Sequence, residues 1–81
     1  TLDLSRNGLK EIKNETFSYL INLRGLYLSQ NKIENLEEYA FSNLERLNIL
    51  HLYDNRIRKL DHENIFKDLK EFNNQVTIEK K

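Results

Sequence analysis

Apolar and polar residues alternate in three short stretches of this chain, and each stretch ends in a turn that contains an asparagine. Residues 26–33, with the sequence LYLSQNKI, show the pattern most clearly. The same phrase occurs as LDLSRNGL at residues 2–9 and as LHLYDNRI at residues 50–57, so the copies are 24 residues apart. Strict alternation is typical of a half-buried strand, and a fixed spacing predicts a repeat array.

The repeats divide the chain into three copies and a remnant. They comprise residues 1–23, 24–47 and 48–72, followed by a degenerate terminal strand at residues 73–81. The third copy drifts after Leu60, because its phenylalanine, Phe66, comes one residue late. There is no proline and no linker rich in glycine or serine, so the 81 residues predict one small domain.

Stacking of the repeats explains how so short a chain can bury its leucines. A lone copy cannot form a core, whereas stacking places Leu26 between Leu2 and Leu50, one strand spacing of about 4.8 Å from each. The strands then run parallel and are joined by right-handed crossovers. Residues 16–22 and 40–46 carry apolar residues at steps of three, which predicts short helical turns. A small helical bundle is the rival fold, but the alternation contradicts a helical period.

Two further residue types recur with the repeat. An asparagine amide both donates and accepts, so a ladder of asparagines can satisfy turn backbone that sheet hydrogen bonds do not reach. Recurring phenylalanines predict an aromatic spine behind the strands. The ladder comprises Asn7, Asn31 and Asn55, and the spine comprises Phe17, Phe41 and Phe66.

These positions together match the consensus LxxLxLxxNxLxxLxxxxFxxLxx, so the chain resembles the leucine-rich repeat family over almost its whole length. The 24-residue copies and their phenylalanine resemble the typical extracellular class found in Toll-like receptors, Slit-like guidance proteins and small proteoglycans. The resemblance implies an α/β leucine-rich repeat solenoid. Its short parallel β-sheet would form the concave face, with loops and short helical turns on the convex face. The resemblance also implies a non-enzymatic module that binds a protein partner through the concave face.

Charge and composition narrow the class of partner. The 13 basic and 13 acidic side chains balance, so nothing in the charge favours nucleic acid or an acidic membrane surface. No apolar run approaches the ~18 residues that span a bilayer, and we expect no direct membrane insertion by this segment. Cysteine is absent, which excludes a disulfide and a thiolate metal site. The chain opens on Thr1 rather than methionine, and a piece of a longer protein or a processed product is the simplest interpretation.

No residue pattern predicts catalysis or a cofactor. Ser5 and Ser29 recur at one repeat position, which marks them as parts of the scaffold, and neither has a predictable histidine base. His51 and His62 lack the paired spacing of metal ligands. The acidic groups of the second and third copies lack the ordered loop and the glycine of a calcium site. We therefore predict no catalytic residue, no metal site and no cofactor.

The solvent side of the strands is the candidate binding surface. If Leu26 and Leu28 point inward, the residues between them point outward, since side chains alternate along a strand. Tyrosine gives a large contact area with one polar tip, which suits protein recognition. The alternative is that tyrosine–histidine packing across strands only stabilises the sheet. The candidate partner-binding residues are Asp3, Tyr27, Ser29, Ile49, His51 and Tyr53.

One modification signal bears on location. Residues Asn14, Glu15 and Thr16 form an N-glycosylation sequon, with Asn14 as the acceptor. Together with the repeat class, it favours an extracellular or cell-surface protein, such as a receptor ectodomain or a secreted adhesion or matrix protein. The alternatives are a cytoplasmic repeat scaffold and the recognition arm of a larger enzyme. The first copy has no capping unit on its outer side, so we expect the isolated chain to be marginally stable or to self-associate through its uncapped ends.

Overall fold

The computed structural model describes residues 1–58, 65–66 and 76–77, and within them the chain forms six short strands and no helix. The strands are β1 (Leu2–Asp3), β2 (Glu11–Ile12), β3 (Gly25–Tyr27), β4 (Asn35–Leu36), β5 (Ile49–His51) and β6 (Val76–Thr77). The β part of the predicted α/β class is confirmed for this part of the chain. Its helical part is not.

Four of these strands form the main sheet in the order β1-β3-β5-β6, and each neighbouring pair is parallel. Leu26 pairs with Leu2 on one side and with Leu50 on the other, which confirms the register predicted from the 24-residue spacing. Leu50 pairs in turn with Val76. That step, from position 50 to position 76, is 26 residues long. The third copy therefore accommodates two extra residues and still returns a strand to the sheet.

The core lies on one side of the main sheet, where the apolar residues of neighbouring copies meet. The second and third copies contribute the fully buried strand leucines Leu26 and Leu50 and, just after the strands, Leu28 and Leu52. Leu2 and Leu4 of the first copy are only half-buried, because β1 pairs with a single strand in this sheet. Full burial of a leucine contributes about 1.5–3 kcal/mol. The same residue type therefore stabilises the first copy less than the second.

A second parallel sheet pairs β2 with β4, and the pattern of apolar and polar residues does not predict it. Ile12 pairs with Leu36, and both side chains are buried. The backbone N–H groups of Lys32, Glu34 and Glu37 donate to carbonyl oxygens of the first copy at 2.8, 2.9 and 3.0 Å. Stacking places each extended segment beside the same segment of the next copy. A strand pair therefore forms here although the residues do not alternate between apolar and polar.

Residues 16–22 and 40–46, where the sequence predicted short helical turns, form successive turns instead. The N–H of Leu20 donates to the carbonyl of Phe17 at 2.9 Å, and that of Leu23 donates to the carbonyl of Leu20 at 3.0 Å. These bonds span three residues, as in a β-turn, rather than the four of an α-helix. In the second segment Asn43 has a φ of 69°, and a right-handed helix cannot continue through a left-handed residue.

The phenylalanine spine forms as predicted. The rings of Phe17 and Phe41 stack with centroids 6.4 Å apart and planes 3° from parallel. Phe41 and Phe66 stack at 6.1 Å and 8°. Phe66 reaches the stack although it comes one residue late, so ring packing tolerates the drift of the third copy.

Candidate functional site

Asn31 links two copies of the repeat from inside the turn that ends β3. Its Oδ1 accepts hydrogen bonds from the backbone N–H groups of Asn7 at 2.7 Å and Leu9 at 3.1 Å. Its Nδ2 donates to the carbonyl of Leu4 at 3.0 Å and to carbonyls in its own copy. Asn55 makes equivalent bonds one copy later. These bonds fix where each strand ends, and so they fix the positions of the side chains on the solvent side of the sheet.

Tyr27, His51 and Tyr53 form an aromatic cluster on that solvent side, which we call the strand face. The parallel register places Tyr27 beside His51, and their rings meet edge to face with centroids 4.9 Å apart and planes at 80°. His51 also contacts Tyr53, with centroids 5.6 Å apart and planes at 49°. Such ring pairs contribute about 0.5–1.5 kcal/mol beyond their buried area. All three side chains are only half-buried, so the cluster stiffens the sheet and also presents aromatic surface to solvent.

The Tyr27 ring lies close to Gly25 of its own strand. A Cβ added at Gly25 would stand 3.5 Å from both Cε2 and the hydroxyl oxygen of Tyr27. The ring therefore leans back along its own strand, over residue 25 and away from Ser29. This orientation leaves open space on the strand face beyond Tyr27.

An open cavity of about 600 Å³ occupies that space, and we call it the strand-face cavity. Protein ligand sites commonly enclose about 300–1,000 Å³. The cavity is lined by rings, hydroxyls, an amide, a carboxylate and a guanidinium, from Asp3, Ser5, Arg6, Tyr27, Ser29, Gln30, His51 and Tyr53. Of the six candidate partner-binding residues, only Ile49 is not part of this lining, and it is half-buried. Ser5, Arg6 and Gln30 belong to the lining although they are not among the six candidates.

Ser29 lines the cavity as a buried side chain. It belongs to the strand face with Tyr27, but it is only 3% exposed, so the expectation that it is open to solvent like Tyr27 is wrong. The Oγ of Ser29 has no hydrogen-bond partner within the described part of the chain. An unpaired buried hydroxyl costs about 1–3 kcal/mol. Its role as a partner contact stays a prediction.

Arg6 and Gln30 form a polar pair across neighbouring copies at the rim of the cavity. The Nε of Arg6 donates a hydrogen bond to Oε1 of Gln30 at 2.6 Å. The two residues occupy the same repeat position, 24 residues apart, and both have left-handed backbones, with φ of 61° and 59°. The 24-residue spacing was the available signal for this pair, because it places the two side chains next to each other.

Asp3 supplies the carboxylate of the cavity. The backbone N–H of Ser5 donates to its Oδ1 at 3.0 Å. This bond, then one from the Ser5 hydroxyl and the attraction of the Arg6 charge, together outweigh desolvation and hold the pKa of Asp3 below its ordinary value. Asp3 is therefore ionised at neutral pH, and the cavity combines one fixed negative charge with one fixed positive charge.

Asn14, the sequon asparagine, is exposed on the loop after β2 and does not line the strand-face cavity. Its Oδ1 accepts a hydrogen bond from the backbone N–H of Tyr39 at 2.8 Å. Its own backbone N–H donates to Oε1 of Glu37 at 2.7 Å. The oxygen of the side-chain amide, rather than its nitrogen, thus holds Asn14 against the second copy.

Tyr19 and Ile21 are surface side chains of the first copy that have no apolar counterpart in the second. They are 93% and 56% exposed, and they line another open cavity, of about 360 Å³. The equivalent residues 24 positions later are Asn43 and Glu45, which are also exposed. The scaffold therefore does not require apolar side chains at these two positions.

The described residues contain no group of three or more histidine, aspartate or glutamate side chains that could hold a metal ion. His51 contacts tyrosine rings on both sides. His62 lies outside the described residues. In the part of the chain that the structure covers, no helix has the length and apolar character needed to cross a membrane.

Comparison with known proteins identifies the repeat. A family model described as leucine rich repeat matches residues 1–57. No curated protein and no solved structure matches the chain. The matched residues include the whole lining of the strand-face cavity. Because the match spans more than half of the chain, and the strands pair in the register of the repeat, the chain belongs to the leucine-rich repeat family.

Proposed function

We propose that this chain is a non-enzymatic module that binds a protein partner through its strand face. Leucine-rich repeat domains generally mediate protein–protein interaction and are typically non-enzymatic. In the solenoid that the family implies, the strand face would be the concave side.

The observation that carries the proposal is the aromatic cluster beside the strand-face cavity. Tyr27, His51 and Tyr53 contact one another and remain half-buried, and all three line the same open cavity. Binding hot spots favour tyrosine rings that are rigid before the partner arrives. Packing across the strands supplies that rigidity here, so the stabilising role of these rings and a binding role support each other.

The experiment is a comparison of matched tyrosine replacements. Peptides displayed on phage are selected against the full chain, and the affinity of each purified peptide is measured for wild type, Tyr53→Ala and Tyr19→Ala. We expect Tyr53→Ala to weaken binding at least fivefold, since a hot-spot residue contributes about 1 kcal/mol or more. Tyr19→Ala removes an equally large but remote ring and should leave affinity within twofold. Unchanged affinity for folded Tyr27→Ala, His51→Ala and Tyr53→Ala would place the binding surface elsewhere.

We also propose that the parent protein is extracellular or at the cell surface, as a receptor ectodomain or a secreted adhesion or matrix protein. Support comes from the 24-residue repeat class and from Asn14, which is exposed and remote from the strand-face cavity. A glycan at Asn14 would leave the strand face accessible. The native protein should lose mass on glycosidase treatment, and the Thr16→Ala variant should show no such loss. An unglycosylated native protein would favour the cytoplasmic alternative.

A further inference from the structure

We propose that the strand-face cavity takes an acidic side chain of the protein partner, whose carboxylate lies against Arg6, Gln30 and Ser29. The inference rests on the proposed function and specifies the chemistry that the partner brings to the site. It follows from the orientation of one guanidinium, from one buried hydroxyl and from the balance of donors and acceptors in the cavity.

Arg6 is held in a position suited to a carboxylate. Its bond to Oε1 of Gln30, 2.6 Å long, uses only the N–H on Nε. The terminal nitrogens carry four further N–H donors in a planar fork, which matches the two oxygens of a carboxylate. Because Gln30 accepts through its oxygen, its amide nitrogen remains as a neighbouring donor. The pairing therefore orients two donor groups before any partner arrives.

Ser29 adds an independent sign that a ligand atom belongs here. Ser29 lines the cavity and is 3% exposed, and its Oγ is buried without a hydrogen-bond partner in the described part of the chain. A partner oxygen therefore reaches this hydroxyl only when an adjoining side chain moves aside. A new acceptor lowers the free energy of an unpaired buried hydroxyl more than that of an exposed hydroxyl, because the exposed hydroxyl already bonds to water. A carboxylate oxygen is a strong acceptor for it.

The other lining groups decide between an acidic and a basic occupant. Asp3 is the single carboxylate of the lining, and its Oδ1 already accepts from the N–H of Ser5. Arg6, Gln30 and Ser29 are donors, and the hydroxyls of Tyr27 and Tyr53 can donate as well. The hydroxyls can also accept, whereas the guanidinium of Arg6 and the amide nitrogen of Gln30 only donate, and these two groups favour a partner side chain that accepts. A basic side chain at Asp3 is the competing occupant.

The test uses capped amino acids as probes, so it does not depend on knowing the partner. The full chain, labelled with nitrogen-15, is titrated at constant ionic strength with N-acetyl-glutamate N-methylamide, with the isosteric glutamine compound and with the lysine compound. We expect the glutamate compound to shift the NMR signals of Ser29, Gln30 and the Arg6 Nε–H saturably. Its dissociation constant should be at least tenfold lower than that of the glutamine compound.

Matched variants assign the effect to named atoms. Arg6→Gln should abolish the preference for glutamate, whereas Arg24→Gln, which removes an equal charge from an exposed residue outside the cavity, should retain it. Ser29→Ala should weaken glutamate binding about three- to tenfold. Ser42→Ala removes another buried hydroxyl that has no partner among the described residues, and it should have no effect.

Equal binding of glutamate and glutamine compounds, a preference for lysine, or a glutamate affinity that survives Arg6→Gln would each overturn the inference. The proposed function is judged separately. If the selected peptides require Tyr53 for binding but contain no essential acidic residue, strand-face binding is supported and the acidic side chain in the cavity is refuted. Saturable glutamate binding without any peptide that depends on Tyr27, His51 or Tyr53 would refute the proposed function alone.

Discussion

The side-chain oxygen of Asn31 lies 2.7 Å from the backbone nitrogen of Asn7, the equivalent residue of the preceding copy. The same amide also donates to the carbonyl of Leu4, so one side chain pairs donors and acceptors of a neighbouring turn. Parallel strands alone leave these turn groups without partners. Both the strand pairing and the asparagines that follow the strands therefore fix the register between neighbouring copies.

The first prediction concerns the free energy of unfolding of Asn31→Ala. Asn31 is 7% exposed, and its loss would leave several buried backbone groups unpaired, each costing about 1–3 kcal/mol. We expect a destabilisation of about 2–4 kcal/mol in urea unfolding. Asn7→Ala is the control, because the Asn7 side chain is exposed and donates to the carbonyl of Ser5 at 3.2 Å. It should cost less than about 1 kcal/mol. Equal losses for the two variants would contradict the ladder.

The second prediction tests the phenylalanine spine. Phe41 is 1% exposed and stacks on both Phe17 and Phe66, so Phe41→Leu leaves a void between two rings. We expect it to lower the free energy of unfolding by about 1–2 kcal/mol, and Phe41→Ala to cost about 3–5 kcal/mol. Phe17→Leu at the end of the stack should cost less than Phe41→Leu. Circular dichroism during urea unfolding measures all three, and a larger loss at Phe17 would exclude the central role of Phe41.

The two glycines should respond with opposite signs to the same change. Gly8 has a φ of 71° with open space around it, so Gly8→Ala meets backbone strain rather than a clash. It should destabilise the chain by about 1–2 kcal/mol. At Gly25 the new methyl group would touch the Tyr27 ring at 3.5 Å, an ordinary contact, and no left-handed backbone is required. Gly25→Ala should be neutral or stabilise by up to about 1 kcal/mol. If Gly25→Ala destabilised the chain more than Gly8→Ala, the space around each glycine rather than its φ would determine the effect on stability.

The parts of the fold differ in how well the sequence predicts them. Leu26 and its equivalents were predictable, because a fixed spacing and a strict alternation specify both register and burial. The pairing of β2 with β4 was not, since its strands need only lie side by side and carry no pattern of their own. The short helical turn expected at residues 40–46 does not continue through Asn43, whose left-handed backbone the apolar spacing does not reveal.

The candidate site shows the same division. Tyr27 and His51 were placed side by side by register alone. Ser29 was assigned to the exposed face by alternation, but its burial depends on the sizes of its neighbours. The Arg6–Gln30 bond depends on side-chain conformation, which a repeat position does not determine. Sequence thus predicted which residues share the strand face, and packing decided which of them meet.

Asp3 gives a prediction about pH. Its pKa is lowered in the folded chain, first by the hydrogen bond from the Ser5 N–H, so the ionised form favours folding. This contribution is present above the unfolded pKa of about 3.9 and is lost as the pH falls through the lower folded value. The free energy of unfolding, measured in urea between pH 2 and pH 6, should change less with pH for Asp3→Asn than for wild type. An NMR titration that placed Asp3 above its ordinary pKa would reverse the sign and refute the assignment.

The last prediction concerns self-association of the isolated chain. Tyr19 and Ile21 expose apolar surface at positions where the second copy carries Asn43 and Glu45. The double change Tyr19→Asn with Ile21→Glu gives the first copy the polar side chains that its neighbour already tolerates, so folding should be preserved. Exposed apolar patches promote association. Sedimentation velocity across a hundredfold range of concentration should therefore show less oligomer for the double variant than for wild type. Leu20→Ala is the comparison, because Leu20 lies between the two and is less exposed than either, at 41%. It should lower thermal stability more than it lowers association. If the double variant associates as strongly as wild type, the contact between chains lies outside this patch, and the outer edge of β1 is the next surface to test.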